Sequence, residues 1–230
     1  MPEGPEVKNF SKLFPNGKVK ITLLRGQYAT SPKELCRQFR ERIEPFEVHR
    51  VYNHGKILII AGRINLVCQP MLEGYFSLVE DKFSEIKFSF EKKDVYFCDK
   101  ISLARWFVMS ETELQRFLDL LGPDISNPRT GDCEKFCSLL RGRRSAIYKL
   151  LLKQEIASGC GNYIRAEAIA RCDFDPFITA AEITQRQCRE LYEKLIEVAE
   201  QAESEKLIFL AYGVGTPIKD GSRSFYIKKK

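Results

Sequence analysis

From Val19 to Cys98 the chain is a succession of short apolar runs, each closed within a few residues by turn-forming residues. That spacing fits strands rather than long helices. Strands are expected over Val19–Leu24, Glu47–Tyr52, Lys56–Ile60, Leu66–Gln69, Tyr75–Val79, Glu85–Phe90 and Asp94–Cys98. Ile86, Phe88 and Phe90 alternate with polar residues, as in a strand with one wet face. Two helices accompany the strands. In Pro5–Phe14, residues Val7, Phe10 and Phe14 recur at helical spacing, and Asn16-Gly17 ends the element. A second helix opens on the capping box Ser31-Pro32-Lys33-Glu34 and carries Leu35, Phe39 and Ile43 on one face. So much β-structure bounded by turns predicts a two-layered sheet or barrel packed by helices.

The character changes after about Ser110. Thr112–Leu121 is amphipathic and stops at Gly122-Pro123. Cys133–Leu140 and Ser145–Lys153 read as helices, followed by a glycine-punctuated stretch. A capping box at Thr179–Glu182 is expected to open a long helix reaching Ala202. Lys206–Tyr212 and Arg223–Lys228 read as two strands joined by a turn-rich loop. The expected class is therefore α+β. A β-rich domain covers 1–122, a linker Gly122–Thr130, and a helical domain 131–230, whose last part, about 206–230, is a hairpin.

Composition excludes several classes. With 44% hydrophobic and 30% charged residues, the chain has material for a core and is not broadly disordered. Its 37 basic and 31 acidic residues leave a net charge of +6, which permits a polyanion partner without requiring one. No apolar run approaches the roughly 20 residues of a membrane span, and no signal-peptide core is evident, so a soluble, intracellular protein without membrane contact is expected. The eight cysteines contain no Cys-x-x-Cys pair, there are two histidines, and neither type occurs after Cys188. Metal-ligand spacing is absent, so reduced, buried cysteines and no metal or other cofactor are expected.

Two stretches carry chemistry. The chain begins Met-Pro-Glu-Gly-Pro-Glu. Removal of Met1 would leave Pro2 with a secondary amine. An α-amine titrates near ~8 against ~10.4 for lysine, so much of it is the neutral nucleophile at physiological pH. Attack on a sugar aldehyde would give a cationic iminium. Glu3, the next residue, could move protons, and Glu6 lies in the first helical turn, where the dipole favours a negative charge. The same residues also read as an ordinary proline-punctuated helix start. In Gln154–Arg165, two glycines bracket Cys160, and Asn162 is expected to cap a helix over Tyr163–Arg171. Helix N-termini and turn amides bind phosphate. Taken alone, this stretch is equally a helix–turn–helix joint.

Pro2-Glu3-Gly4-Pro5-Glu6, then Gly161-Asn162-Tyr163 with Arg165 and Glu167, then Gly221-Ser222-Arg223-Ser224-Phe225-Tyr226, in this order and spacing, resemble the formamidopyrimidine-DNA glycosylase/endonuclease VIII family across nearly the whole chain. The resemblance implies an N-terminal β-sandwich, a helix-two-turns-helix motif and a C-terminal β-hairpin finger. It implies a bifunctional DNA glycosylase and abasic-site lyase of base excision repair. Pro2 would be the Schiff-base nucleophile, Glu3 the proton donor and Glu6 its support. Lys56, in His54-Gly55-Lys56, would contact phosphate and aid β-elimination, while Arg223 on the finger would grip phosphate and assist the second elimination. Asn162, with Tyr163 and Arg165, would bind DNA. The partner would be double-stranded DNA with oxidised bases or abasic sites, with single-stranded DNA as a further substrate, bound by a monomer.

Departures from the family pattern are informative. Many relatives hold the finger with four cysteines, whereas here Val214, Ile227 and Lys230 stand where cysteines are expected. The resemblance is therefore to an endonuclease VIII-like member with a zincless finger. Gln69-Pro70-Met71-Leu72-Glu73-Gly74 resembles the loop that fills the hole left by an everted base, with Leu72 as the wedge; burial of Met71 or Leu72 in the core is the alternative. A second insertion loop aligns with Asp99–Leu103 but lacks the usual arginine and aromatic, leaving Leu103 as its apolar contact. The short connection Glu203–Leu210 points to oxidised pyrimidines and formamidopyrimidines rather than 8-oxoguanine. A catalytically inactive damaged-DNA-binding module is the alternative from another class. A helix–turn–helix transcription factor fits less well, because the helix after Asn162 is mostly apolar.

Overall fold

The computed structural model describes residues 2–25, 46–172, 175 and 177–205, and the backbone of 218–220 and 223–225. The helix expected at Ser31–Ile43 lies outside the described residues. Two compact units emerge. One holds Pro2 and Glu6–Asp119, and the other holds Glu3–Pro5 and the chain from Leu120 onward.

The first unit contains most of helix α1 (Gly4–Ser11), nine strands and helix α2 (Glu111–Asp119). The strands are β1 (Gly17–Leu23), β2 (Phe46–Val48), β3 (Arg50–His54), β4 (Ile57–Ala61), β5 (Asn65–Gln69), β6 (Gly74–Ser77), β7 (Ser84–Ser89), β8 (Asp94–Asp99) and β9 (Arg105–Met109). They form two antiparallel sheets, in the orders β2-β1-β7-β8-β6 and β3-β4-β5-β9. The sheets share one core. Ile86 and Phe88 of β7 and Val95 and Phe97 of β8 pack with Leu58 and Ile60 of β4, Leu66 and Cys68 of β5 and Trp106 of β9. Alternation places those residues on the inner face of each strand. Trp106 sits among aromatic rings, with centroids 5.2 Å from Phe97, 5.9 Å from Phe88 and 6.1 Å from Phe76.

Two strand expectations are corrected. The run Glu47–Tyr52 is divided at His49, so β2 joins one sheet and β3 the other. The sequence reading had no strand at Arg105–Met109, yet β9 closes the four-stranded sheet against β5. Its central residues are apolar on both faces, which hides the period-2 signal.

The second unit is helical: α3 (Asp132–Leu140), α4 (Ile147–Leu150), α5 (Asn162–Arg171) and α6 (Gln185–Glu203). Phe136 and Leu140 of α3, Ile164 and Ala168 of α5 and Leu191, Leu195 and Val198 of α6 meet in a second core. α4 is shorter than the expected helix over Ser145–Lys153. Its N-terminal flank pairs instead with 178–180, through Ile147 N–H to Ile178 O at 2.9 Å and Ala180 N–H to Ser145 O at 3.1 Å. The Thr179–Glu182 box forms but closes only a turn; α6 starts later, on the Thr184–Gln187 capping box. The expected linker is also corrected. Ser158 N–H donates to Pro123 O at 2.9 Å and Ile125 N–H to Ser158 O at 3.1 Å, and Ile125 is buried. An apolar residue amid polar turn formers ties this segment to the core. Near the C-terminus, β10 (Ile218–Asp220) pairs antiparallel with β11 (Arg223–Phe225), Asp220 opposite Arg223. The expected strand over Lys206–Tyr212 lies outside the described residues. Among the described residues no helix is long and apolar enough to cross a membrane.

Phe97 is fully buried against Trp106, the only tryptophan. Phe97→Ala is expected to destabilise the first unit by about 3–5 kcal/mol. Urea unfolding followed by Trp106 fluorescence checks this, and an unchanged midpoint would contradict the packing.

Candidate active site

A helix cannot satisfy the first N–H groups of its own first turn. Gly161 precedes α5 with φ −135° and offers no side-chain cap. The acceptor comes from the far end of the chain. Tyr163 N–H donates to Glu3 Oε1 at 3.2 Å, and Ile164 N–H donates to Glu3 Oε2 at 3.4 Å. Glu3 is 2% exposed. Its carboxylate thus sits at the positive end of the α5 dipole, where an anion is stabilised. The expectation that Asn162 caps this helix is corrected: Asn162 is the first helical residue, and the anion at the N-terminus is Glu3.

Backbone contacts fix the seat. Gly4 N–H donates to Gly159 O at 2.9 Å, anchoring the residue after Glu3. Gly159 has φ +93°, a conformation that glycine adopts without strain. Gly161 is needed for space, since a Cβ there would lie 2.2 Å from Glu3 Cδ. Of the two glycines that bracket Cys160, Gly161 makes room for the Glu3 carboxylate and Gly159 anchors Gly4 next to it.

Arg165, expected among the DNA-binding residues, is corrected to an internal brace. It is 2% exposed, because its guanidinium donates to Tyr148 O at 2.8 Å and Asn162 Oδ1 at 3.1 Å. Arginine only donates, so it engages the carbonyl end of the Asn162 amide and leaves the NH2 end of this exposed residue as the donor. Tyr163 is half-buried and packs against the helical core.

In the first unit, Pro2 and Glu6 are half-buried. Lys56 is half-buried in the turn between β3 and β4, where Gly55 has φ +53° and Asn53 Nδ2 donates to Gly55 O at 3.1 Å. Gln69 and Leu103 lie at a common corner of the sandwich. β5 ends at Gln69, opposite Arg105 of β9, and β6 begins at Gly74, opposite Asp99 of β8. Connections 70–73 and 100–104 therefore run side by side from sheet to sheet. Gly74 permits the first turn to close, since a Cβ there would lie 2.4 Å from Pro70 O. The exposures of Leu72, Ile101 and Leu103 are 47%, 49% and 48%, so the alternative of core burial fails for Leu72. Of Arg223, the described backbone gives only its place in β11.

A buried acid shapes the second connection. Asp99 Oδ1 accepts Ile101 N–H at 3.2 Å and Oδ2 accepts Ala104 N–H at 2.8 Å. Ser102, in the left-handed region at φ +52°, donates its hydroxyl to Glu85. Glu85 stands at a register shift between Ser84 and Ile86, and bulges of this kind re-aim side chains. Burial, opposed by the Ser102 hydroxyl and reinforced by the Asp99 charge, holds the Glu85 carboxyl above its ordinary value; Arg25 opposes the rise.

Two of the thiols, Cys133 and Cys172, are poor nucleophiles. Burial pushes Cys133 up to about 11 and Cys172 up to about 12. Among the described residues no group of three or more His, Cys, Asp or Glu could hold a metal ion.

Residues 121–208 match the Formamidopyrimidine-DNA glycosylase H2TH domain. The chain is 24% identical to the Formamidopyrimidine-DNA glycosylase of Protochlamydia amoebophila (strain UWE25) over 239 residues, spanning 98% of this chain and 82% of that one. It is 26% identical to Endonuclease 8 of Pectobacterium atrosepticum over 213 residues, spanning 86% and 78%. Along most of its length the chain is thus similar to formamidopyrimidine-DNA glycosylases and to endonuclease 8. Its fold is that of Lactococcus lactis formamidopyrimidine-DNA glycosylase, solved non-covalently bound to DNA with an AP site, at a TM-score of 0.83 and 18% identity over 98% of this chain and 97% of that one. What the sequence reading missed is the seat of Glu3. The signal was present as two glycines flanking one residue, but only the contact across the fold shows what the space admits.

Two outcomes follow from the geometry. Gly161→Ala is expected to push the Glu3 carboxylate off the helix. Hydrogen exchange should then lose protection at the Tyr163 and Ile164 amides while Ala168 and Ile169 keep theirs; unchanged exchange would contradict the seat. For Glu85, the raised folded value means that the native state binds more protons than the unfolded state just above the ordinary carboxylate range. Stability therefore falls as pH rises through that window. Glu85→Gln should melt higher than wild type near about pH 7, and the gain should vanish as pH falls toward ~4, the ordinary glutamate range. A gain independent of pH would contradict this.

Proposed function

We propose that the chain is a DNA glycosylase of base excision repair that also cleaves the abasic site, using Pro2 as a Schiff-base nucleophile. The observation that carries this reading is the Glu3 carboxylate, buried one peptide bond after Pro2 and fixed by two amides of α5. A protein that only binds DNA has no use for an immobilised acid beside a potentially free N-terminal proline. The relatives' names, Formamidopyrimidine-DNA glycosylase and Endonuclease 8, support the same chemistry.

The steps follow from the groups present. An enzyme acting at a nucleotide's sugar must take that nucleotide out of the stack, and damaged bases come out at lower cost. Leu72, half-exposed on its tight turn, and Leu103 on the adjoining connection are suited to fill the vacated space. Gln69 leads into the same turn. The Pro2 nitrogen attacks C1′ and the base departs with its bonding electrons and a proton. Glu3 supplies a proton to open the sugar ring. The cationic iminium acidifies the C2′ protons, and loss of one expels the 3′ phosphate. Lys56 assists this step. A second elimination, aided by Arg223, releases the sugar from the 5′ phosphate. Asn162 binds the duplex through its amide, which Arg165 orients from within, and Tyr163 adjoins it at the start of α5. Glu6 supports Glu3 from the first turn of α1. Oxidised pyrimidines and formamidopyrimidines are the favoured lesions, and a zincless finger completes the grip.

Borohydride reduction of the reaction with abasic DNA is expected to link the chain covalently to the sugar at Pro2. Mature protein should begin at Pro2, and Glu3→Gln, which fills the seat without an ionisable proton, should retain binding and lose excision. A trapped adduct that maps to a lysine and persists in Pro2→Gly would overturn the assignment; no adduct at all would favour a binding module.

A further inference from the structure

We propose that Gln154 is a positioning residue for the Glu3 carboxylate, an inference that rests on the reading of Glu3 as proton carrier. Gln154 follows α4 at the head of the segment that ends on Gly161. Its side-chain amide is engaged at both ends. Oε1 accepts the Gly159 N–H at 2.9 Å. Nε2 donates to Cys160 O at 3.0 Å and to Leu152 O at 3.2 Å. Its main-chain carbonyl accepts Gly122 N–H at 2.9 Å.

Those contacts grip two peptide planes, the one entering Gly159 and the one entering Gly161. The Gly159 carbonyl receives the Gly4 N–H, and Gly161 is the residue whose missing Cβ makes room for the Glu3 carboxylate. One side chain therefore sets the two backbone features that locate Glu3, without touching Glu3. Glycines on both sides of Cys160 give this segment wide conformational freedom, which a fixed site must remove. Gln154 has the reach and the paired donor and acceptor for that task. Glutamate at this position has no donor for the two carbonyls, and methionine has neither group.

The test uses the full chain with Gln154→Met and Gln154→Glu. Two readouts are taken: hydrogen exchange at the Tyr163 and Ile164 amides, and single-turnover excision of an oxidised pyrimidine from saturating duplex, with affinity measured on duplex carrying a stable abasic-site analogue. In Gln154→Met the two amides are expected to exchange about tenfold faster while Ala168 and Ile169 stay protected. Excision should slow roughly tenfold to a hundredfold, the usual penalty for about an ångström of misplacement, with affinity for the analogue unchanged. Gln154→Glu, which keeps the acceptor for Gly159 N–H, should fall between Gln154→Met and wild type. Wild-type exchange and excision in Gln154→Met would overturn the proposal. So would equal loss of protection along all of α5, which would mark Gln154 as a general fold residue. Should Gln154→Met not fold, the same criteria apply to Gln154→Glu. If the wild-type chain excises no base, the functional reading fails by itself, and the exchange experiment still decides whether Gln154 sets the seat.

Discussion

The carboxylate of Glu3 on the first turn of α5 is the interaction on which the candidate site depends. It joins residues 160 and 161 positions apart, so it exists only when the chain is folded. Each partner solves a problem of the other. The helix start has N–H groups without intrahelical acceptors, and the buried carboxylate needs donors to offset its lost hydration. The consequence for chemistry is positional. The acid proposed to carry the proton is held by two backbone amides rather than by mobile side chains, and most substitutions leave those amides in place. What mutation can disturb is the space, which Gly161 supplies, and the path of the loop, which Gln154 and Gly159 control.

A different device governs the corner of the β-sandwich. There two connections cross between the sheets side by side and expose Leu72, Ile101 and Leu103. Beneath one turn is a glycine in contact with Pro70; beneath the other are two buried acids with different environments. Asp99 is satisfied by two backbone N–H groups, whereas Glu85 faces burial and the Asp99 charge and is pushed upward. Two carboxylates from neighbouring strands thus do different work on one loop: Asp99 of β8 shapes its backbone, and Glu85 ties it to β7 through Ser102.

Much of the fold was legible wherever periodicity was strong. The strands β4 to β8 and the helices α2 and α3 fall within a few residues of the runs that announced them. Failures have physical causes. β9 carries apolar residues on both faces, so alternation is lost. α6 begins at Thr184 rather than at Thr179 because two threonine boxes lie five residues apart, and local chemistry cannot choose between them. The segment at Gly122–Thr130 has the composition of a linker, and only the bridge to Ser158 reveals it as part of the helical unit.

The sequence by itself determined the β-then-α order and pointed to the residues proposed to carry the chemistry, because these depend on residue type and spacing. Tertiary structure decided what those residues face. It put Glu3 rather than Asn162 at the anion position of α5 and turned Arg165 inward to brace Asn162. It left Leu72 in solvent and made Gln154 the clasp of the loop. Each outcome depends on contacts between segments far apart in the chain, and a one-dimensional pattern holds no record of which distant backbone will supply the missing donor or leave the needed space.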